Sequence, residues 1–372
     1  MKSVLLVLSL VSLSPASAAS TPWTESANTA TANKAGIIVP LAAGTMHKTA
    51  LKQWNDDGID LYAQYESADA AIAGTIFVYA PTLPDIGLTF LATDDTIRRR
   101  FGASTHVAKD EVVAIAGVKG AGRKVIYEGV DEGRRVSTAL FVRAGSWIIV
   151  GRVTGPASRA PEIVANLDAL IGQMSFPKGS EPLAANVVKT ESCQPRALPS
   201  ENAKIVLPNA GEAIALALFN APGVIDNKGH AAINPLRNPP DRLCLENSEL
   251  LGKIPLQTLS PIRRSTYSYA THLFMLYGDA GIMLELVESK NHNDTFYAFV
   301  HGVGRMYLVG RFKGMPSMTQ LQGLILAPAD APAVVQYESR MVSAKGDESF
   351  NVSCNLTIEG CSAEQSAKKT AR

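Results

Sequence analysis

The stretch Val150-Gly151-Arg152-Val153-Thr154-Gly155 recurs as Val309-Gly310-Arg311-Phe312-Lys313-Gly314, at an offset of 159 residues. The alignment extends in both directions without a gap and keeps glycines at matching turns. The equivalent pairs are Gly122 and Gly281, Ala139 and Ala298, Gly145 and Gly304, Ser158 and Ser317, and Leu167 and Leu326. Such self-similarity indicates two copies of one folding unit. We therefore expect residues 113–173 and 272–332 to superpose.

The segments around the first copy predict antiparallel strands. Glycine-containing turns at Lys119–Gly122, Asp131–Gly133 and Arg143–Ser146 separate short runs rich in β-branched residues. Parallel neighbours need a long crossover, so turns this short indicate hairpins. A helix is expected before the meander, from Asp85 to Phe101 with Gly102 as its stop. A second helix is expected after it, with the apolar stripe Ile163, Leu167, Leu170, Ile171 and Met174.

The second half repeats this order. Its predicted strands are Tyr267–Leu276, Ile282–Val287, Thr295–Val300 and Arg305–Phe312, and its predicted helix is Pro316–Leu326. An antiparallel sheet with one apolar face needs a cover, and the helices would supply it. The expected fold class is α+β, with two related domains, each an antiparallel sheet covered by helices.

The expected organisation has five parts. Residues 1–18 are a signal peptide, and 35–178 form the first α+β domain. Residues 179–200 are a linker and 201–340 form the second α+β domain. The remaining residues, 341–372, form a cysteine-containing tail with a disordered end.

The first eighteen residues have the pattern of a secretory leader. Lys2 supplies the positive charge, Val4 to Leu13 the apolar segment, and Ala16-Ser17-Ala18 the small residues at a cleavage site. This pattern predicts export, to the periplasm or outside the cell. No later stretch is long and apolar enough to predict a transmembrane segment after the leader is removed.

Charge and cysteine content narrow the functional classes. The chain has 35 basic and 34 acidic residues, so it lacks the basic excess typical of nucleic-acid binding. Its four cysteines all follow the leader, and an even number in an exported protein favours disulfides. Three pairings are open. We favour Cys193–Cys244 together with Cys354–Cys361, because the second pair would close a short loop.

No catalytic, metal or cofactor motif stands out, so no cofactor is expected. The chain lacks a Gly-x-Ser-x-Gly elbow, and Gly117 to Lys124 lacks the Gly-Lys-Ser/Thr and the following helix of a phosphate loop. None of the histidines has a metal-ligand spacing. These are His47, His106, His230, His272, His292 and His301.

Two arginines and two tyrosines are the candidate ligand-binding residues. Arg152 and Arg311 occupy equivalent places in the two copies, and an arginine there could bind an anionic ligand bidentately. Tyr267 and Tyr269 fall on one face of a strand and could hold a sugar or a peptide. The structural alternatives are an arginine that lies along the sheet edge and tyrosines that complete a core rim.

The order of hairpin, helix, four antiparallel strands and final helix resembles the secreted PsbP-like and DcrB-like α+β domains. Ala73–Tyr79, as the strand before the helix, and Ser146–Arg152, as the last strand, carry this resemblance across residues 59–176. It implies a non-enzymatic accessory protein and supplies no catalytic residues.

The expected function is that of an exported, non-catalytic binding or accessory protein of the bacterial envelope. Its partner would be an unknown protein or a small-molecule ligand. Two alternatives remain open: an exported hydrolase with a dispersed active site, and a structural envelope protein that forms oligomers through sheet edges.

Overall fold

A computed structural model describes residues 21–185, 187–206, 242–262, 269–278, 281–289, 294–328, 335–342 and 347–354. The strands of these residues form three sheets. Sheet A has three strands and the order β1-β2-β3. Its strands are β1 (Trp23–Glu25), β2 (Thr29–Ala32) and β3 (Ile37–Pro40).

Sheet B has nine strands. They are β4 (Ala42–Ala43), β5 (Met46–Gln53), β6 (Asp60–Ser67), β7 (Ala73–Tyr79), β8 (His106–Ile115), β9 (Val118–Val130), β10 (Arg135–Ala144), β11 (Trp147–Pro156) and β12 (Pro182–Leu183). Their order is β4-β5-β6-β7-β11-β10-β9-β8, and β12 also pairs with β10. Every pairing in this sheet is antiparallel.

Sheet C has ten strands. They are β13 (Lys189–Ser192), β14 (Lys204–Ile205), β15 (Arg242–Leu251), β16 (Ile254–Pro261), β17 (Tyr269–Tyr277), β18 (Ile282–Ser289), β19 (Thr295–His301), β20 (Arg305–Lys313), β21 (Val335–Val342) and β22 (Asp347–Cys354). Their order is β13-β15-β16-β17-β18-β19-β20-β21-β22, and β14 pairs with β20. The helices are α1 (Ile86–Phe101), α2 (Ala160–Gly172) and α3 (Met318–Leu326), with a 3₁₀ turn at Ala157–Arg159.

The predicted α+β class, with each sheet covered by helices, is wrong. The described residues are 54% strand and 16% helix, with three helices. An apolar strand pattern identifies a sheet face that must be buried, but it does not identify what buries it. Here strands do much of the covering, because sheet A packs on one face of sheet B and the other face shares a core with sheet C.

Helix α1 lies inside the core shared by sheets B and C. It begins after Asp85, whose carboxylate accepts a hydrogen bond from the Leu88 amide at 2.8 Å, and ends at Gly102, whose φ of 92° favours glycine. Its side chains contact both sheets, so its apolar residues extend around the helix rather than along one stripe. Buried members of this core are Leu88, Phe90, Ile97, Val125, Phe141, Ile148, Leu259, Phe274 and Met283.

The outer face of each large sheet has a core of its own. Sheet A and α2 pack on sheet B through residues such as Ile37, Ile76 and Leu167. Helix α3 packs on sheet C through Leu321, Leu324 and Ile325. Among the described helices, none has both the length and the apolar character needed to cross a membrane.

The same order of elements occurs in both halves. Strands β8 to β11 form an antiparallel meander followed by α2, and β17 to β20 form another followed by α3. Their neighbours differ, because β11 pairs onward with the earlier strand β7 whereas β20 pairs onward with the later strand β21. A common element order is what a duplication requires, and the duplication itself stays a prediction.

One hairpin turn lies earlier than predicted. The turn between β8 and β9 is at Ala116 and Gly117, which have φ of 47° and 81°, and β9 runs through the expected turn at Lys119–Gly122. Two central residues with positive φ suit a two-residue hairpin. Gly122 instead serves packing, since a Cβ there would lie 2.9 Å from the Ile115 side chain.

Candidate functional site

The two predicted arginines lie on different sheets. Arg152 is half-buried on β11, where it pairs with Ala139 on one side and Thr75 on the other. Arg311 is half-buried on β20 opposite Tyr297, and its carbonyl accepts a hydrogen bond from the Val206 amide at 2.7 Å. Ala139 pairs with Arg152, whereas the equivalent Ala298 pairs with Gly310, so the two arginines differ in register.

The two predicted tyrosines, Tyr267 and Tyr269, are described only in part. Tyr269 begins β17 and pairs with Ser289, whereas Tyr267 lies outside the described residues. The ligand role of these four residues therefore stays a prediction. Within the described part of the chain, a different set of aromatic side chains lies on sheet B.

Three aromatic rings form a row from the end of β5 across β6 and β7, which we call the aromatic row: Trp54, Tyr62 and Phe77. Trp54, just beyond the end of β5, is 68% exposed, yet its ring stacks on Tyr62 with centroids 5.3 Å apart and planes at 29°. Tyr62 in turn contacts Phe77, at 5.9 Å and 35°. Phe77 packs against the core between sheets B and C, so the row runs from that core to solvent.

Polar side chains accompany the row on the same face of sheet B. Along β6, half-buried Asp60, Tyr62 and Gln64 alternate with buried residues, so the three share one face. Thr75 of β7 pairs with Gln64 and with Arg152, which places them next to the row. We call this surface the Trp54 face, formed by the aromatic row with Asp60, Gln64, Thr75 and Arg152.

Asp60 is a carboxylate of this face with an unusual environment. The Trp54 amide donates a hydrogen bond to the Asp60 carbonyl at 2.9 Å, which holds the two residues opposite each other across the hairpin. Burial raises the pKa of the Asp60 carboxyl to about 6. No described residue forms an ion pair with this carboxylate or donates a hydrogen bond to it. A carboxylate desolvated without a compensating partner is typical of a ligand contact.

The hairpin that carries Trp54 is attached to sheet C. Arg305 lies 3.7 Å from the Asp57 carboxylate, and a Cβ on Gly304 would lie 2.0 Å from Ile59. The loop after β7 continues this contact, where the Thr82 amide donates to the Gly302 carbonyl at 2.9 Å. We call this junction of residues 80–82 with 301–305 the seam. It fixes the end of the hairpin against the second sheet.

A buried polar relay crosses the seam. The Thr82 hydroxyl lies 3.3 Å from His301 Nδ1, and His301 Nε2 lies 3.3 Å from Glu285 Oε2. The His301 and Glu285 side chains are 1% and 0% exposed. With Glu285 ionised and His301 neutral, His301 Nε2–H donates to the carboxylate and Nδ1 accepts from the Thr82 hydroxyl.

This relay has the residue types of a hydrolase triad but not its access. A nucleophile must reach a substrate carbonyl, whereas Thr82 is 5% exposed and packs at the join of two sheets. In this position the relay satisfies buried polar groups and ties β18 and β19 to the loop after β7. The geometry therefore favours a structural role.

A second histidine cluster lies near the disulfide. His272 Nε2 contacts the Glu288 carboxylate, and Arg196 Nη1 lies 3.3 Å from His272 Nδ1. Cys193, just after β13, bonds to Cys244 of β15, with Cα atoms 5.4 Å apart. This is one of the two bonds favoured from sequence, and it holds the segment between the sheets against β15. Cys361 lies outside the described residues, so the bond from Cys354 stays a prediction.

Within the described ranges, no three or more His, Cys, Asp or Glu side chains are grouped as a metal site requires.

Sequence reasoning missed Trp54, Tyr62 and Asp60. A signal was present, because Trp54 is a large aromatic in the polar run Gln53-Trp54-Asn55-Asp56-Asp57-Gly58, where a turn needs none. No sequence signal could have joined Thr82 to His301.

Comparison with known proteins identifies no family. No family model matches the chain, and no curated protein matches it. One solved structure, from Bacteroides thetaiotaomicron, is 12% identical, with 71% of this chain and 87% of that chain covered and a TM-score of 0.22. At that TM-score the likeness supports no conclusion about fold or function. The comparisons do not bear on the resemblance to PsbP-like and DcrB-like domains.

Proposed function

We propose that this protein is an exported, non-catalytic binding protein of the bacterial envelope whose ligand surface is the Trp54 face. The single observation that carries the proposal is the state of Trp54, which is 68% exposed and yet stacked on Tyr62. An exposed ring held by its neighbours loses little conformational freedom on binding, which is why tryptophan and tyrosine dominate binding surfaces.

The rest of the face supports the same role. Sugar-, peptide- and small-molecule sites combine apolar rings with a few polar groups that fix orientation. Here Asp60, Gln64, Thr75 and Arg152 stand beside the rings on one sheet face. Arg152 thereby keeps the ligand-binding role proposed from sequence, in company with residues that the sequence did not identify.

The buried relay favours binding over hydrolysis. The closest arrangement to a catalytic triad among the described residues is Thr82, His301 and Glu285, and its histidine and glutamate are 1% and 0% exposed. Export is supported by the leader pattern in residues 1–18 and by the Cys193–Cys244 disulfide, since such bonds persist in oxidising compartments.

Photo-crosslinking in the cells that make the protein tests the binding role. The full chain carries the substitution Trp54→benzoylphenylalanine, the cells are irradiated, and adducts are detected by mass. The matched control is Val112→benzoylphenylalanine, because Val112 on β8 is also exposed, at 50%, but lies on the far edge of sheet B.

The binding role predicts an adduct that forms at position 54 and not at position 112. Absence of any adduct at position 54, or equal labelling at both positions, would contradict it. A product released from an added ester or peptide and lost in Thr82→Val would favour the hydrolase instead.

A further inference from the structure

We propose that the Trp54 face binds an uncharged pyranose ring of a glycan, with the sugar stacked on Trp54 and its hydroxyls hydrogen-bonded to Asp60. This inference deepens the binding role proposed above and rests on it.

The orientation of the rings selects the shape of the ligand. Tyr62 stacks on one face of Trp54 at 29°, so the opposite face of the exposed Trp54 ring is left as one flat apolar surface. A cage for a quaternary ammonium ion needs rings that enclose the cation from several sides. A pyranose ring instead has a flat face of C–H groups that packs on one aromatic plane, as a rigid amphipathic aromatic residue allows.

The polar groups match the other surface of a sugar. The Asp60 carboxylate, on the same face as Tyr62, is acceptor-only when ionised and can accept hydrogen bonds from two adjacent hydroxyls. Gln64, two residues after Tyr62 on β6, offers both a hydrogen-bond donor and an acceptor. Bonds to an ionised group are the stronger kind, so Asp60 would orient the ring.

Local charge disfavours an anionic ligand. The segment from Trp54 to Asp60 contains three carboxylates, Asp56, Asp57 and Asp60, and no basic residue. Arg305 of the seam pairs with Asp57, and Lys52 is exposed on β5. Arg152, the cation of the Trp54 face, pairs with Thr75, whereas Asp60 pairs with Tyr79, four residues further along β7. A phosphate or a polyanionic strand at Trp54 and Asp60 would therefore meet repulsion, whereas a neutral sugar meets acceptors.

The carboxylate also predicts a pH dependence. The charged groups near Asp60 are Asp57 and Arg305, which pair with each other, and Lys52 on the adjacent strand, while Tyr79 pairs with Asp60 from β7. Burial places the pKa of Asp60 at about 6. Glycan affinity should therefore fall as pH decreases through about 6, because protonation removes acceptor capacity.

The test is a titration of the full mature chain with cellohexaose, chitohexaose and maltohexaose, in which binding is measured by tryptophan fluorescence and by calorimetry. Choline is titrated in parallel as a cationic probe. The variants are Trp54→Ala, Trp54→Phe and Asp60→Asn, with Val112→Ala as the control for loss of an exposed apolar side chain. Trp54 and Val112 are 68% and 50% exposed, so neither change removes a core residue.

We expect one of the neutral oligosaccharides to bind. Its affinity should fall ~10-fold or more in Trp54→Ala, less in Trp54→Phe and not in Val112→Ala. The Asp60→Asn variant should bind more weakly at pH 7.5 and lose the pH dependence. Binding of a hexasaccharide that is unchanged in Trp54→Ala, or binding of choline alone, would overturn the proposal.

The failure of this inference is distinguishable from failure of the binding role. If none of the oligosaccharides binds but the crosslink at position 54 still forms, the glycan proposal is wrong and the binding role stands. If neither the titration nor the crosslink gives a signal, both proposals fall.

Discussion

Thr82 and His301 are 219 positions apart in sequence, and their side chains meet at 3.3 Å inside the seam between sheets B and C. Thr82 comes from the loop after β7 and His301 ends β19, so this contact spans the two halves of the chain. The same histidine reaches Glu285 on β18. A buried polar link at this junction favours one specific arrangement of the two sheets.

The seam should therefore respond to small changes in this relay. Thr82→Val keeps the shape but removes the hydroxyl that His301 Nδ1 faces, and we expect a loss of about 1–2 kcal/mol in the free energy of unfolding. His301→Ala should cost about 3–5 kcal/mol, because it also leaves a cavity beside the buried Glu285. Urea denaturation measures both. The control Thr49→Val, at an exposed position of β5, should stay within about 0.5 kcal/mol. Equal effects of the two threonine changes would mean that the relay contributes nothing.

The disulfide should contribute measurably to stability. It closes a sequence separation of 51 residues, which in the chain-entropy model corresponds to about 3–4 kcal/mol. The double variant Cys193→Ser, Cys244→Ser should lower the free energy of unfolding by that amount under oxidising conditions, and with it the urea midpoint. Under reducing conditions the wild type should move to the midpoint of the variant. A wild type with the same midpoint in both conditions would contradict this account.

Asp60 should destabilise the fold at neutral pH. Its folded pKa of about 6 lies above the ordinary value of 3.8. Between these values the folded state holds the proton more tightly than the unfolded state, so stability falls as pH rises from about 4 to 6 and stays lower above 6. The shift corresponds to about 3 kcal/mol, and partial exposure of the carboxylate reduces this to about 1–2 kcal/mol.

Asp60→Asn should accordingly raise the free energy of unfolding at pH 8 and have little effect near pH 4. Asp56→Asn, at an exposed position of the same hairpin, serves as the control and should change little at either pH. Thermal unfolding across this pH range checks the sign. A stabilisation that is the same at both pH values would refute the assignment to a desolvated charge.

Local signals predicted individual elements well. The helix expected from Asp85 to Phe101 is α1, because an N-cap carboxylate and a glycine stop act within a few residues of the chain. The strands β18, β19 and β20 were predicted within a few residues, because the residue pattern of a strand is also a local signal. In contrast, β15 and β16 were missed, since they follow a proline-rich stretch and carry no regular alternation.

The fold class and the candidate site depended on contacts that sequence spacing does not encode. Nothing in the pattern of α1 indicated that both of its sides would meet a sheet, so helices were expected to cover sheets that in fact share cores with other strands. The site was missed for a related reason. Tyr62 and Phe77 lie on successive strands and Trp54 follows the end of the neighbouring strand β5, and only the register of those strands aligns the rings.

Radical footprinting of Trp54 in the native envelope tests the central claim most directly. The oxidation of Trp54 is measured in the purified protein and in intact envelopes, with Leu250 of β15, which is 55% exposed, as the internal reference. A ligand on the Trp54 face predicts that Trp54 is protected several-fold in the envelope while Leu250 reacts as before. Equal oxidation of Trp54 in both preparations would contradict the proposal that this face is a binding surface.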